Sequence, residues 1–244
     1  MIAMQRYFTL DKLNTEETFK VINEDTHHMI NVMRFRVDHT FEMVDRDKIV
    51  FLCNVIKIEE QTVIYQPLEK YENRSEMPVR ITIFCPLLKG EKFEWMLQKS
   101  TELGASEFII YEAEHSIVKL DDRKKEKRLT RYRKVVKEAS EQSKRTVIPE
   151  IYFDHKLKHI DFTGYDYVII ADEGNADDES LSLKSLERFQ IGSSVGFIFG
   201  PEGGLTEEEV GFDDALKSVR LGPRILRAES APLYFLSSMS YIYE

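Results

Sequence analysis

The feature that most limits how this chain folds is an apolar run of strand length, residues 195–199, that breaks at Gly200-Pro201-Glu202-Gly203-Gly204. Proline removes a backbone donor and glycine removes side-chain bulk, so the run cannot simply continue. The break reads as a sharp loop at the carboxyl end of a buried strand, where open α/β sheets hold their ligands. Thr206 and Glu209 stand at capping-box spacing, so a helix should start just after it. A second apolar strand around residues 219–221 ends at Gly222-Pro223, and an amphipathic tail follows from Ala228. Two glycine-containing loops, each leaving a strand, can close on one small molecule.

Phosphate is a poor candidate for that molecule. The loop lacks the Lys-Ser/Thr of a P-loop and the spaced glycines of the dinucleotide fingerprint. It carries Glu202 and runs into Glu207, Glu208 and Glu209, which would repel an anion. A neutral or cationic ligand held by backbone groups fits better, with a plain structural turn as the competing reading.

The 244 residues suffice for two modest domains or one large one. No apolar run approaches the roughly 20 residues of a membrane span, and the N-terminus lacks a signal-peptide core, so a cytoplasmic protein with no membrane contact is expected. Cys53 and Cys85 sit alone in apolar runs as reduced thiols, and no metal site is expected. The adjacent His27 and His28 read as packing or hydrogen-bonding residues, since neighbours on a helix point in different directions.

Residues 4–71 read as a small β-rich module. Strands are expected at 40–44, 49–58 and 62–68, with one short helix capped by Asp25 or Thr26 that turns Met29, Val32 and Met33 inward. A polar linker ending at Pro78 follows, and the rhythm then changes. Strands at 79–85, 107–111, 165–171 and 195–199 alternate with helices at 91–103, 123–143 and 181–189. The first helix turns Phe93, Trp95, Met96 and Leu97 partly inward and stops at Gly104. Alternation of this kind predicts an α/β domain with a mostly parallel sheet. The net charge of −9 hides a basic segment from Lys119 to Arg145. It is either a solvated face laced with i,i+4 pairs or a stripe that concentrates contact with nucleic acid.

FGPEGGLTEEEV and LGPRILRAESAPL together closely resemble the C-terminal signature of the ribosomal small subunit methyltransferase E family, in the SPOUT class. QRYF at residues 5–8, HHMINVMR at 27–34, LLKGEKFEWMLQKSTELGA at 87–105 and EASEQSKR at 138–145 match in order, so the resemblance spans almost the whole chain. It implies S-adenosylmethionine-dependent methylation of N3 of one uridine in 16S ribosomal RNA of the small subunit. It also implies a PUA-like β-barrel at residues 1–72, a linker at 73–78, and at 79–244 a SPOUT domain whose C-terminal segment makes a trefoil knot. Topology rules alone would exclude a knot. Class members are homodimers, and Leu233, Phe235, Leu236, Met239 and Ile242 of the tail are candidates for that interface, or for ordinary core.

By the same resemblance the cofactor pocket comprises Phe199, Gly200, Pro201, Glu202, Gly203, Gly204, Leu221, Gly222 and Leu226, with Glu173 at a third strand end. N3 of uridine is a weakly acidic imide between two carbonyls, so its attack needs a base or cations on the flanking oxygens. Arg227 and Arg224 are the candidate cations, and Glu229 is the candidate base or arginine orienter. Arg6, Arg34, Arg36, Lys89, Arg131, Lys134 and Arg145 are the candidate RNA contacts. His115 stands where many relatives carry arginine. Two other readings stay open: a non-catalytic RNA-binding assembly factor, and a methyltransferase acting on tRNA.

Overall fold

The computed structural model describes residues 4–116, 121–172 and 182–244. It divides into two compact units, one of Met1–Ser75 with Ser140–Val147, the other of Glu76–Ala139 with Ile148–Glu244.

The first unit holds strands β1 (Arg6–Phe8), β2 (Phe19–Val21), β3 (Thr40–Val44), β4 (Val50–Glu59) and β5 (Thr62–Tyr71) in the order β1-β3-β4-β5-β2. The rings of Phe41 on β3 and Tyr65 on β5 lie 5.5 Å apart across the intervening β4. A flat sheet would hold strands that far apart in order at about 9.5 Å, so this sheet curls around its aromatic core. Register shifts between β4 and β5 at Leu52/Cys53 and Val55/Lys57 supply the bend. β1 and β2 were not expected, because three residues carry no readable periodicity.

The short helix α1 (Glu24–His27) is capped two residues before Asp25, the earlier of the two expected caps. Asn23 is its N-cap, with Oδ1 accepting from the Asp25 amide at 2.9 Å. It runs into a π-turn over His28–Val32, in which the Met33 amide donates to the His28 carbonyl. The extra residue shifts the helix phase, so Met29 is buried while Val32, expected inward, is exposed. His28 Nδ1 lies 3.0 Å from the Tyr7 hydroxyl, an ordinary hydrogen-bonding role.

An ion cluster is among the contacts that tie Ser140–Val147 to this unit. Arg6, 3% exposed, pairs with Glu42 at 2.9 Å and donates to the carbonyls of Lys144 and Arg145. Lys144 reaches Glu42 at 2.7 Å, and the Tyr71 hydroxyl donates to the same carboxylate. Burial pushes the Glu42 carboxyl up, but hydrogen bonds from Lys144, Tyr71 and Arg6 outweigh it and hold it below the ordinary carboxylate range. That stability is therefore present above the ordinary range and lost as pH falls through the lowered value. Arg6→Met should destabilise the full chain by about 3 kcal/mol, near the low end for breaking a buried pair because Lys144 remains. Urea unfolding reads this directly; a change below about 0.5 kcal/mol would show the cluster to be inconsequential.

The second unit is built on a fully parallel six-stranded sheet. Its strands are β6 (Arg80–Pro86), β7 (Glu107–Glu112), β8 (Glu150–Lys156), β9 (Tyr167–Ala171), β10 (Ser194–Ile198) and β11 (Leu216–Val219), in the order β11-β9-β10-β6-β7-β8. Both faces are buried, which is why β6, β9 and β10 read as near-continuous apolar runs. One face packs on α2 (Lys92–Glu102), α3 (Asp122–Gln142) and α5 (Ala231–Tyr243), with Phe197 stacked on Phe235 at 4.1 Å. The other face packs on Leu157, Ile160, Phe162 and Leu205. α2 ends in a Schellman motif: Ala105 donates to Ser100 and Gly104 to Thr101, with Gly104 at φ +92°.

Several expectations need correcting. Trp95 is 45% exposed, because the core stripe of α2 is Phe93, Met96, Leu97 and Ser100. β8 was missed, as an edge strand whose residues after Ile151 are at most half buried. Of the helix expected at 181–189, Leu181 lies outside the described residues; the rest holds only a 3-10 turn, Leu183–Ser185. The segment pairs instead with the chain after β11, through the Ser182–Arg220 bridge and the Leu183 amide on the Arg220 carbonyl. The tail is core: Phe235, Leu236 and Met239 are buried, leaving Tyr241 and Ile242 exposed.

Candidate active site

A cavity of about 820 Å³ opens where β9, β10 and β11 end. These three neighbours present their carboxyl ends together, beside the point where β10 inserts between β9 and β6 and the strand order reverses. Its walls come from Ala171 and Asp172 at the end of β9, from residues 199–202, Gly204 and Leu205 after β10, and from residues 219–229 and Ala231 at and after the end of β11, with Lys92 of α2. Residues 173–181 lie outside the described residues, so nothing is assigned to Glu173.

The loop after β10 is held from behind. The buried Tyr111 hydroxyl donates to the Phe199 carbonyl at 2.7 Å, and the Gly204 amide donates to the Pro201 carbonyl at 2.9 Å. Gly204 sits at φ +74°, a conformation that favours glycine. Helix α4 (Glu207–Val210) follows at once, and the expected capping box is present. Glu209, 6% exposed, uses Oε2 on the Thr206 amide at 3.0 Å and Oε1 on the Glu114 amide at 2.9 Å. Its carboxylate is thereby committed to the loop rather than to a ligand.

Of the expected cofactor residues, Phe199, Gly200, Pro201, Glu202, Gly204, Leu221, Gly222 and Leu226 all line the cavity. Gly203 does not. A Cβ there would meet His115 Cβ at 3.1 Å, and the Gly203 carbonyl takes a hydrogen bond from His115 Nδ1 at 3.1 Å. A carbonyl can only accept, so Nδ1 carries the proton. His115 therefore braces the loop from outside. Gly200 is the glycine that sterics require: a Cβ on it would lie 3.0 Å from Leu205 Cγ and 3.1 Å from the Gly204 backbone.

Arg224, Arg227 and Glu229 also come to the cavity, on the segment between β11 and α5. The arginines are exposed, Arg227 by 79%, whereas Glu229 is 8% exposed. Arg227 reaches Glu229 only at 4.0 Å. The nearer partner is Lys92, whose Nζ stands 3.1 Å from Oε1 and 3.3 Å from Oε2. Burial pushes the Glu229 carboxyl up, but its own backbone amide, Lys92 and Arg227 together bring it below the ordinary range. Both carboxylate oxygens face Lys92, so taking up a proton would compete with that ion pair. Sequence reasoning missed Lys92; no local signal in GEKFEW marks it, since its partner lies 137 residues away.

The candidate RNA contacts separate as well. Arg34, Arg36 and Lys89 are exposed. Arg6 and Arg145 are buried, at 3% and 2%, and cannot present their charge to a phosphate. Arg131 forks onto Glu94 at 2.5 and 2.7 Å, and Lys134 pairs with Glu138 at 3.8 Å, so this part of the basic helix is a laced face. Lys119 lies outside the described residues.

The model of a family described as an RNA methyltransferase domain matches residues 75–240, and that of an RNA methyltransferase PUA domain matches residues 21–67. Ribosomal RNA small subunit methyltransferase E of Bacillus subtilis (strain 168) is 39% identical, over 98% of this chain and 96% of its own. The chain belongs to the ribosomal RNA small subunit methyltransferase E family. A crystal structure of the Neisseria gonorrhoeae methyltransferase E bound to S-adenosyl methionine has 26% identity and a TM-score of 0.86, covering 98% of each chain. A putative methyltransferase from Legionella pneumophila, solved with bound SAM, shares the fold at a TM-score of 0.88 and 23% identity, over 99% of this chain and 98% of that one. The α/β unit with its parallel sheet and the curled N-terminal unit are thus the family's methyltransferase and PUA-like parts. Among the described residues no helix is long and apolar enough to cross a membrane.

Proposed function

We propose that this member of the family transfers a methyl group from S-adenosylmethionine to N3 of a uridine in the ribosomal RNA of the small subunit. The observation that carries the reading is the cavity at the ends of β9, β10 and β11, walled by the two glycine loops of the family signature. Its chemistry fits the donor. Phe199, Leu205, Leu221 and Leu226 offer apolar walls for an adenine, and Asp172, Glu202 and Glu207 suit a cation better than a phosphate. Bound there, the donor supplies an electrophilic methyl on a sulfonium. This chain's residues hold it, exclude water, and place Arg224 and Arg227 where charge develops on the uracil oxygens.

The exposed Arg34, Arg36 and Lys89 are proposed to take RNA phosphates, with residues 1–72 as the RNA-reading part, 73–78 as a linker and 79–244 as the transferring part. The knotted path of the C-terminal segment is proposed from the resemblance. A homodimer is proposed on the exposed Ile225, Tyr241 and Ile242, and a cytoplasmic location follows from a ribosomal substrate.

Labelled methyl transfer to small ribosomal subunits from a strain lacking the enzyme tests the reading. Label is expected in the ribosomal RNA as N3-methyluridine. Donor binding without transfer would instead favour the assembly factor, and transfer only to tRNA would favour the other methyltransferase reading.

A further inference from the structure

Two cations share one buried carboxylate at the cavity. Lys92 Nζ lies within 3.3 Å of both oxygens of Glu229, and Arg227 approaches the first of them at 4.0 Å. Lys92 lines the cavity and keeps 39% of its side chain exposed, while Glu229 keeps 11%. The carboxylate is thus the anchor, and the ammonium is the group with donors left over. An ammonium carries three N–H groups, and a single carboxylate does not use them all.

We propose that Lys92 is a catalytic cation for the acceptor base, held in place by Glu229 as a positioning residue. The inference rests on the reading above, in which the acceptor is a uridine imide. Forming the N3–methyl bond requires the N3 proton to leave, to water, and the methyl–sulfur bond to break with its electron pair staying on sulfur. Negative charge then gathers on the two oxygens beside N3 until the new bond neutralises it. A cation beside those oxygens lowers that barrier. The Lys92–Glu229 pair is close to neutral in the resting site, so it gains little from the neutral uracil and more from the charged transition state. The donor's carboxylate is the alternative partner. It is charged at all times, however, and Glu229 beside Lys92 would repel it.

The test is single-turnover methyl transfer to small ribosomal subunits at saturating donor, with donor affinity measured separately by calorimetry. Lys92→Met should slow transfer about 100-fold, the scale for removing one preorganised donor, with donor affinity changed less than threefold. The variant leaves Glu229 poorly paired, so the double variant Lys92→Met/Glu229→Leu is the decisive control. Replacing both partners by apolar groups removes the buried-charge penalty. If Lys92 acts on the acceptor, the double variant keeps the wild-type melting temperature and donor affinity yet stays slow. Recovery of the wild-type rate would make the pair a structural clamp and overturn the inference. So would weakened donor binding with an intact rate at saturation, which would assign Lys92 to the donor's carboxylate. A wild type that binds donor but methylates no ribosomal RNA would overturn the reading of the reaction, and the inference with it.

Discussion

Gly200→Val should reduce S-adenosylmethionine affinity at least 100-fold while the chain still folds. The Cβ alone would stand 3.0 Å from Leu205 Cγ and 3.1 Å from both Gly204 C and Leu205 N. Two of those three atoms are backbone in a turn already fixed by the Gly204–Pro201 hydrogen bond, so the loop must open rather than flex. Opening it moves the backbone groups that wall the cavity, and with them the ligand's partners. The fold should survive, because overpacking at one loop costs about 1–3 kcal/mol while β10 and the sheet are untouched. Gly203→Val is the contrast. Its Cβ meets His115 on the outer side of the loop, so it should weaken binding by a smaller factor, through loss of the His115 brace. Calorimetric titration of both variants checks this; undiminished affinity in Gly200→Val would sink the loop's assignment.

For Arg227→Ala the expected result is a transfer rate roughly 10²–10³ lower at saturating donor and RNA, with donor affinity nearly intact. Arg227 is 79% exposed and sits only at 4.0 Å from Glu229, so little of the loop's geometry depends on it. Its guanidinium is therefore free to meet the acceptor. Lysine should rescue poorly, since a point charge does not reproduce the planar fork. Glu229→Gln should behave differently from Arg227→Ala, because its nearer partner is Lys92 and the loss is transmitted through that ammonium. Single-turnover rates and donor titrations on both variants decide the matter. Equal loss of donor affinity in the two would make Arg227 a loop brace and shift the role to Arg224.

These expectations draw unequally on sequence and on tertiary structure. The stop at Gly200, the capping box of Thr206 and Glu209, the end of α2 at Gly104 and the parallel sheet follow from local rules, so the chain itself determined them. A buried strand must read as apolar, a cap needs a side-chain acceptor at fixed spacing, and a left-handed turn needs glycine. The resemblance then extended the local pattern to a cavity, and eight of its expected residues line it. Burial of charge was not legible in this way. Arg6 and Arg145 look like any surface arginine in the chain, and only the curled sheet, with Ser140–Val147 folded against it, turns them inward. Gly203 and Gly200 are equivalent in sequence, and only the turn's path tells which one faces a backbone and which one faces His115. Lys92 and Glu229 meet because α2 and the segment before α5 pack on the same face of the sheet. Local pattern fixes a residue's element and periodicity; which charge shares a cavity with which is set by contacts between residues far apart in the chain, and those exist only in the folded state.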